Sequence, residues 1–173
     1  NKGRLEKISA KSEFEKDKFL DIAIKKEKNT NMSLVEIYSD IARPLVNSYD
    51  FFEGLEGGNL IYSSKSNNKK SSGVLEIKNF KLNKAPGLAK LLSLADLKGL
   101  TDALRGDGIS FDSLVIKYES SSTWMDIKEI FIIGPSISVL VEGYFDKKKD
   151  ILSLRGTLVP AKTLNNIVSK IPV

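Results

Sequence analysis

The protein has 173 residues, 41% of them hydrophobic and 28% charged, with 27 Lys and Arg against 22 Asp and Glu for a net charge of +5. That length suits one domain with a substantial core, and the composition excludes wholesale disorder. The chain has no Cys and no His, which removes disulfides, thiolate chemistry, the commonest general base and the commonest metal ligand.

Leu5 to Phe14 alternates in polarity and predicts a first strand. Leu20, Ile22 and Ile24 alternate with Phe19, Asp21 and Ala23, a period-2 strand that ends at a turn over 25–31 and returns through Ser33–Tyr38. A short helix is expected near 44–52. Gly57-Gly58 leads into a strand at Asn59–Ser63, and the wholly polar stretch Ser64–Ser72 reads as a hairpin loop before Val74 resumes the sheet as far as Leu82. Ala85-Pro86 then opens a helical stretch over 86–105, since Pro suits the first helical position. Leu88, Leu91, Leu92, Ala95, Leu97 and Leu100 form its apolar stripe, with Gly99 as the expected break between two short helices and Gly106 as the stop.

Strands return at Leu114–Tyr118, Ile127–Ile133, Ile137–Phe145 and Leu152–Leu158, separated by Gly134-Pro135 and a tip at Asp146–Asp150. Val159-Pro160-Ala161 opens a last helix near 160–170, with Leu164, Ile167, Val168 and Ile171 on one side. The order strand, Pro, short apolar helix thus occurs twice, at Leu75–Leu92 and Leu152–Val168. The fold class is therefore mainly β with short helices (α+β): an antiparallel meander with three short helical segments in one domain, 1–173. Such a sheet can close on itself, pack on helices, or leave an apolar trough. Periodicity alone favours the first two, because soluble proteins avoid long exposed apolar surfaces.

The residues supply little chemistry. Gly54, Gly57 and Gly58 lack the strand–loop–helix frame of a phosphate loop, and Asp107, Asp112 and Asp126 match no calcium-loop spacing. Glu53 and Glu56 read as a solvated face, Asp146 and Asp150 as a turn, and Trp124 as a packing residue. Catalysis would have to rest on carboxylates, Lys or Ser without a visible partner, so the chain reads as non-enzymatic, with no cofactor and no metal. Of the basic residues 23 are Lys and four are Arg. The Lys cluster at expected turns, and nucleic-acid surfaces favour the guanidinium fork, so no nucleic-acid partner is expected.

One set of collinear motifs resembles a known family. The run Gly73 to Leu100, with Leu75-Glu76-Ile77, Ala85-Pro86-Gly87-Leu88 and Leu97-Lys98-Gly99-Leu100, is similar to the C-terminal region of the AsmA-like family of bacterial envelope proteins. Leu104-Arg105-Gly106-Asp107-Gly108-Ile109-Ser110-Phe111 resembles its L-x-G-x-G-I-x-F stretch. Gly134-Pro135, Gly143, Leu154-Arg155-Gly156-Thr157-Leu158-Val159-Pro160-Ala161, Leu164-Asn165 and Ile171-Pro172 follow in the family's order. Upstream, Ser39-Asp40 through Gly57-Gly58-Asn59-Leu60 resembles another of its segments, with Ile41-Ala42-Arg43-Pro44 standing where a small Ala/Gly step is usual.

The resemblance covers about 33–173. It implies a curled antiparallel sheet with an open apolar groove, in a fragment of a longer periplasmic chain anchored in the inner membrane. Such bridge-like proteins carry phospholipid acyl chains between the inner and outer membranes in outer-membrane biogenesis. The implied partners are phospholipid acyl chains and, through the full-length chain, the two membranes.

Strand parity then selects groove candidates. Val139, Val141 and Phe145 share one face of their strand, away from Glu142 and Tyr144. Ile127, Phe131 and Ile133 share one parity of the preceding strand and extend that surface if the register allows. The competing reading is a β-rich envelope scaffold or interaction module with a closed core and no lipid.

Overall fold

A computed structural model describes residues 6–27, 31–46, 53–83, 85–94 and 96–160. Among these residues nine strands, β1 (Lys7–Glu15), β2 (Lys18–Lys26), β3 (Ser33–Ser39), β4 (Leu55–Ser66), β5 (Lys70–Leu82), β6 (Ile109–Ser121), β7 (Trp124–Ile133), β8 (Ile137–Asp146) and β9 (Ile151–Pro160), pair in sequence order. Every pairing is antiparallel, and β1 and β9 end the order rather than meeting, so the sheet is a meander that does not close. Among the described residues three short helices, α1 (Arg43–Val46), α2 (Pro86–Leu94) and α3 (Lys98–Arg105), interrupt it. The remainder of the helix expected near 44–52, and the whole of 161–173 with its expected helix and second strand–Pro–helix unit, lie outside the described residues.

Several boundaries differ from the pattern in the sequence. Ser64–Ser66 and Lys70–Ser72 are strand rather than loop, because Ser64 pairs with Val35 and Gly73, and Ser72 with Lys65 and Glu119. Hydrogen bonding from β3 and β6 extends the ladder where side-chain hydrophobicity gives no cue. The turn shrinks to Asn67–Lys69, where the Asn67 Oδ1 accepts the backbone N–H groups of Lys69 and Lys70 at 2.9 and 2.8 Å. The helical break also moves. Asp96 takes a left-handed φ of +55°, and the Leu97 N–H closes back on the Leu92 carbonyl, so Gly99 falls inside α3.

One face of the sheet is largely apolar from β2 to β9. Directly opposed residues of neighbouring strands share a face. The row Leu20, Ser39, Leu60, Ile77, Leu114, Ile132, Val139, Leu158 runs straight across β2 to β9. The next row, Ile22, Ile37, Tyr62, Leu75, Ile116, Ile130, Val141 and Gly156, is its neighbour on the same face. The helices cover this face towards the end marked by Leu55, Leu82, Ile109 and Ile137. There Leu88 and Leu92 of α2 and Leu104 of α3 join Leu60, Ile77, Phe80, Phe111 and Leu114 in the buried core.

Simple alternation cannot produce that core. Leu55 and Leu60 of β4 are five residues apart, and Ile77 and Phe80 of β5, like Phe111 and Leu114 of β6, are three apart, yet all six are buried. The pairing register is unshifted through this region, so three adjacent strands turn over together. Gly57, Gly58 and Asn79 make the turnover possible by taking φ values of +67°, +77° and +53°, a region that glycine and asparagine tolerate best. Each strand thereby presents apolar residues to the helices on both sides of the kink.

The opposite face mixes charged pairs with exposed apolar residues, among them Ile61, Val74 and Leu140. Lys117 Nζ bonds Glu129 at 2.7 Å, Arg155 bonds Glu142 at 2.8 Å and Lys25 bonds Glu36 at 3.2 Å across neighbouring strands. These exposed pairs contribute little stability and keep this side wet.

Asp40 pins the β2–β3 corner. Its carboxylate accepts the Phe19 N–H at 2.9 Å and the Tyr38 hydroxyl at 2.8 Å. The Phe19 N–H, then the Tyr38 hydroxyl, hold its pKa below the usual carboxylate value, with Lys18 and Lys11 adding to the effect against some desolvation. A depressed folded-state pKa contributes stability that is present above the unfolded value of about 4 and is lost as pH falls through the folded one. Asp40→Asn is therefore expected to lower the melting temperature at neutral pH, with the gap to wild type narrowing on acidification. A gap that stays constant from pH 7 to about pH 2 would show that the ionised carboxylate contributes nothing.

Candidate functional site

The apolar face divides into a covered and an uncovered part. Burial falls along β6 away from the helices, where Leu114 is fully buried and Ile116 and Tyr118 are half-buried. On β5 Leu75 is half-buried beside the fully buried Ile77, but Ser64 and Gly73 farther along the central strands are buried again. At the far end lies the row Ile24, Val35, Ser64, Gly73, Tyr118, Ile127, Gly143, Leu154. Its outer members are open to solvent, and on β9 Leu154 is 46% and its neighbour Leu152 57% exposed. Ile8 of β1, opposite Ile24, is exposed as well.

Four of the six residues selected by parity stand on this face. Val139 packs against the core, while Val141, Phe145 and Ile127 lie half-buried beyond it. Val141 faces Ile130 and Gly156, and a Cβ on Gly156 would come within 2.7 Å of the Val141 side chain. The missing side chain at Gly156 is what gives Val141 its seat.

Phe131 and Ile133 are on the opposite face, contrary to the parity expectation. Lys117 pairs with Glu129 but Tyr118 pairs with Ile127, leaving Lys128 as an extra residue in β7. This bulge inverts the alternation, so Ile127, Ile130 and Ile132 share the apolar face, and Phe131 meets Leu140 and Val115 on the other. Ile130 and Ile132 are the residues that parity counting missed. No feature of the Ile127–Ile133 sequence marks Lys128 as the bulged position, since either parity of the strand is apolar.

A polar pair interrupts the apolar surface. The hydroxyls of Tyr62 and Tyr118 stand 2.7 Å apart, and burial, followed by this hydrogen bond, raises the Tyr118 phenol above its ordinary pKa. The Tyr118 ring lies over Gly73, where a Cβ would approach it to 2.7 Å. The Tyr118 phenol stays neutral in this setting and offers a hydrogen bond without charge.

The surface hollows are shallow, about 320 to 610 Å³, and lie over the strands rather than within the core. Among the described residues, no group of three Asp or Glu is placed to hold a metal ion, and no helix is long and apolar enough to cross a membrane. No family model, curated protein or solved structure matches this chain.

Proposed function

We propose that the chain is a non-enzymatic lipid-binding segment of a bridge-like periplasmic protein, anchored in the inner membrane through the full-length chain. It moves phospholipid between the inner and outer membranes, with the acyl chains held along an apolar groove formed by the uncovered face of the sheet. The observation that carries this reading is the asymmetry of the sheet: a largely apolar face across β2 to β9, interrupted by the Tyr62–Tyr118 pair and covered by helices at one end, with the charged pairs confined to its back. An acyl chain on that face would leave water at about 0.8 kcal/mol per methylene. Without a charged side chain to fix it, the chain can slide. The motif resemblance over 33–173 supports the wider setting.

The test is native purification followed by organic extraction and mass spectrometry, with phospholipid expected in near-stoichiometric amounts. Val141→Asp is expected to stay folded, because Val141 lies beyond the buried cluster and a carboxylate there can reach water, and to retain markedly less phospholipid. A wild-type protein free of lipid would remove the proposal. An unfolded Val141→Asp would show this position to be closed core, the arrangement of a lipid-free envelope scaffold.

A further inference from the structure

A second surface, on the opposite face and independent of the lipid reading, has the character of a built ligand site. At the tips of the β4–β5 and β6–β7 hairpins a hollow of about 500 Å³ is lined by Lys65, Ser72, Glu119, Ser121, Trp124 and Asp126, among others. The register explains why these side chains converge. Lys65 opposes Ser72, Ser72 opposes Glu119, Glu119 opposes Asp126, and Asp126 opposes Tyr144. They form a polar row across β4 to β8, four inter-strand steps of about 4.8 Å, roughly 19 Å in all.

The row ends on an aromatic platform. Trp124 stacks on Tyr144 with ring centroids 4.3 Å apart and planes 16° from parallel, and the indole remains 40% exposed. The Ser121 hydroxyl accepts the Trp124 backbone N–H at 3.2 Å, and Lys147 Nζ donates to the Ser120 hydroxyl and the Ser121 carbonyl at 2.6 and 2.7 Å. These contacts hold the tryptophan strand-end and the adjacent turn in place.

The charge balance narrows the ligand class. Lys65 and Lys70 are matched within the lining by Glu119 and Asp126, and both acids are bridged by Lys128 Nζ, at 3.5 and 2.5 Å. With Lys128 the ammonium groups number three against two carboxylates, and a phosphate or sulfate group in the hollow would lie beside both carboxylates. A neutral, hydroxyl-rich ligand suits it better: serine hydroxyls, carboxylates and ammonium groups can exchange hydrogen bonds with hydroxyls, while an exposed flat ring takes the apolar C–H side of a sugar.

We propose that this hairpin-tip hollow binds a neutral oligosaccharide, with one sugar ring stacked on Trp124 and its neighbours hydrogen-bonded along the Ser72–Glu119–Asp126 row. Trp124 is the chain's one tryptophan, so its fluorescence reports this site alone. Titrating the whole chain with maltotriose, cellotriose and triacetylchitotriose is expected to give a saturable change in emission with at least one of them, and none with inorganic phosphate. Calorimetry on Trp124→Ala, checked for folding by circular dichroism, is expected to show affinity reduced about tenfold or more. Asp126→Asn, which keeps size and strand position, is expected to weaken binding as well, and it decides the question if Trp124→Ala does not fold. The proposal is overturned if no trisaccharide changes the emission, if phosphate produces the change instead, or if the folded variants bind the saccharide as wild type does.

Discussion

Leu92→Ala is expected to destabilise the protein by about 2–5 kcal/mol, read as a lowered denaturant midpoint with an unchanged slope. Leu92 is fully buried between α2 and the sheet, in the same cluster as Leu88, Leu104, Ile77 and Leu114. Truncation removes its transfer energy and leaves a cavity that the strands beneath cannot close, because each is held by ladders on both sides. Leu94, two residues on in the same helix, is 78% exposed, and Leu94→Ala should change stability by no more than about 0.5 kcal/mol. Equal effects from the two substitutions would mean that α2 does not present Leu92 to the sheet.

Gly54→Ala is expected to prevent folding or leave the protein insoluble. Gly54 has a φ of +74°, and a Cβ there would lie 1.7 Å from the backbone carbonyl oxygen of Asn83. The left-handed conformation costs an alanine about 1–2 kcal/mol before any clash. The clash cannot relax cheaply, since the Asn83 N–H donates to the Gly54 carbonyl at 3.0 Å and Leu82 beside it is buried. Gly108→Ala meets the same residue differently: its Cβ would lie 1.7 Å from the Asn83 side-chain oxygen, a buried atom without a hydrogen-bond partner. That side chain can rotate, but the Cβ would also lie 2.8 Å from the Leu82 carbonyl oxygen at a φ of +82°, so Gly108→Ala is expected to destabilise the protein, though less than Gly54→Ala. Gly99 completes the series. It sits in α3 with nothing within 4 Å of a Cβ, so Gly99→Ala is expected to stabilise the protein by up to about 1 kcal/mol. Thermal unfolding of the three variants in that order tests the assignment; a soluble, wild-type-like Gly54→Ala would refute it.

The groove candidates show where counting along a strand succeeds and where it stops. Val139, Val141 and Phe145 were assigned to one face correctly because β8 alternates without interruption and Glu142 and Tyr144 mark its wet side. Phe131 and Ile133 were assigned to the wrong face because β7 carries Ile or Phe at both parities, so nothing in the strand itself opposes a one-residue slip. The bulge at Lys128 lies between two pairings with β6: Tyr118, whose ring covers Gly73, pairs with Ile127, and Lys117 pairs with Glu129 and bonds its carboxylate.

The alternation of polar and apolar residues, the turn residues and Pro86 were enough to determine that this chain is a run of antiparallel strands with a two-part helical insertion after Leu82. Those are local properties, written in periods of 2 and 3.6 residues and in the dihedral preferences of single residues. Which parity faces the helices was decided by tertiary structure. It depends on Gly57, Gly58 and Asn79 turning three strands over in register, and on Lys128 turning over a fourth. The extension of strands through Ser64–Ser66 and Lys70–Ser72 was decided the same way, by backbone groups of β3 and β6 that serine and lysine side chains do not announce. A strand's face and length are settled by hydrogen bonds and contacts with its neighbours, and those neighbours lie far away in the sequence.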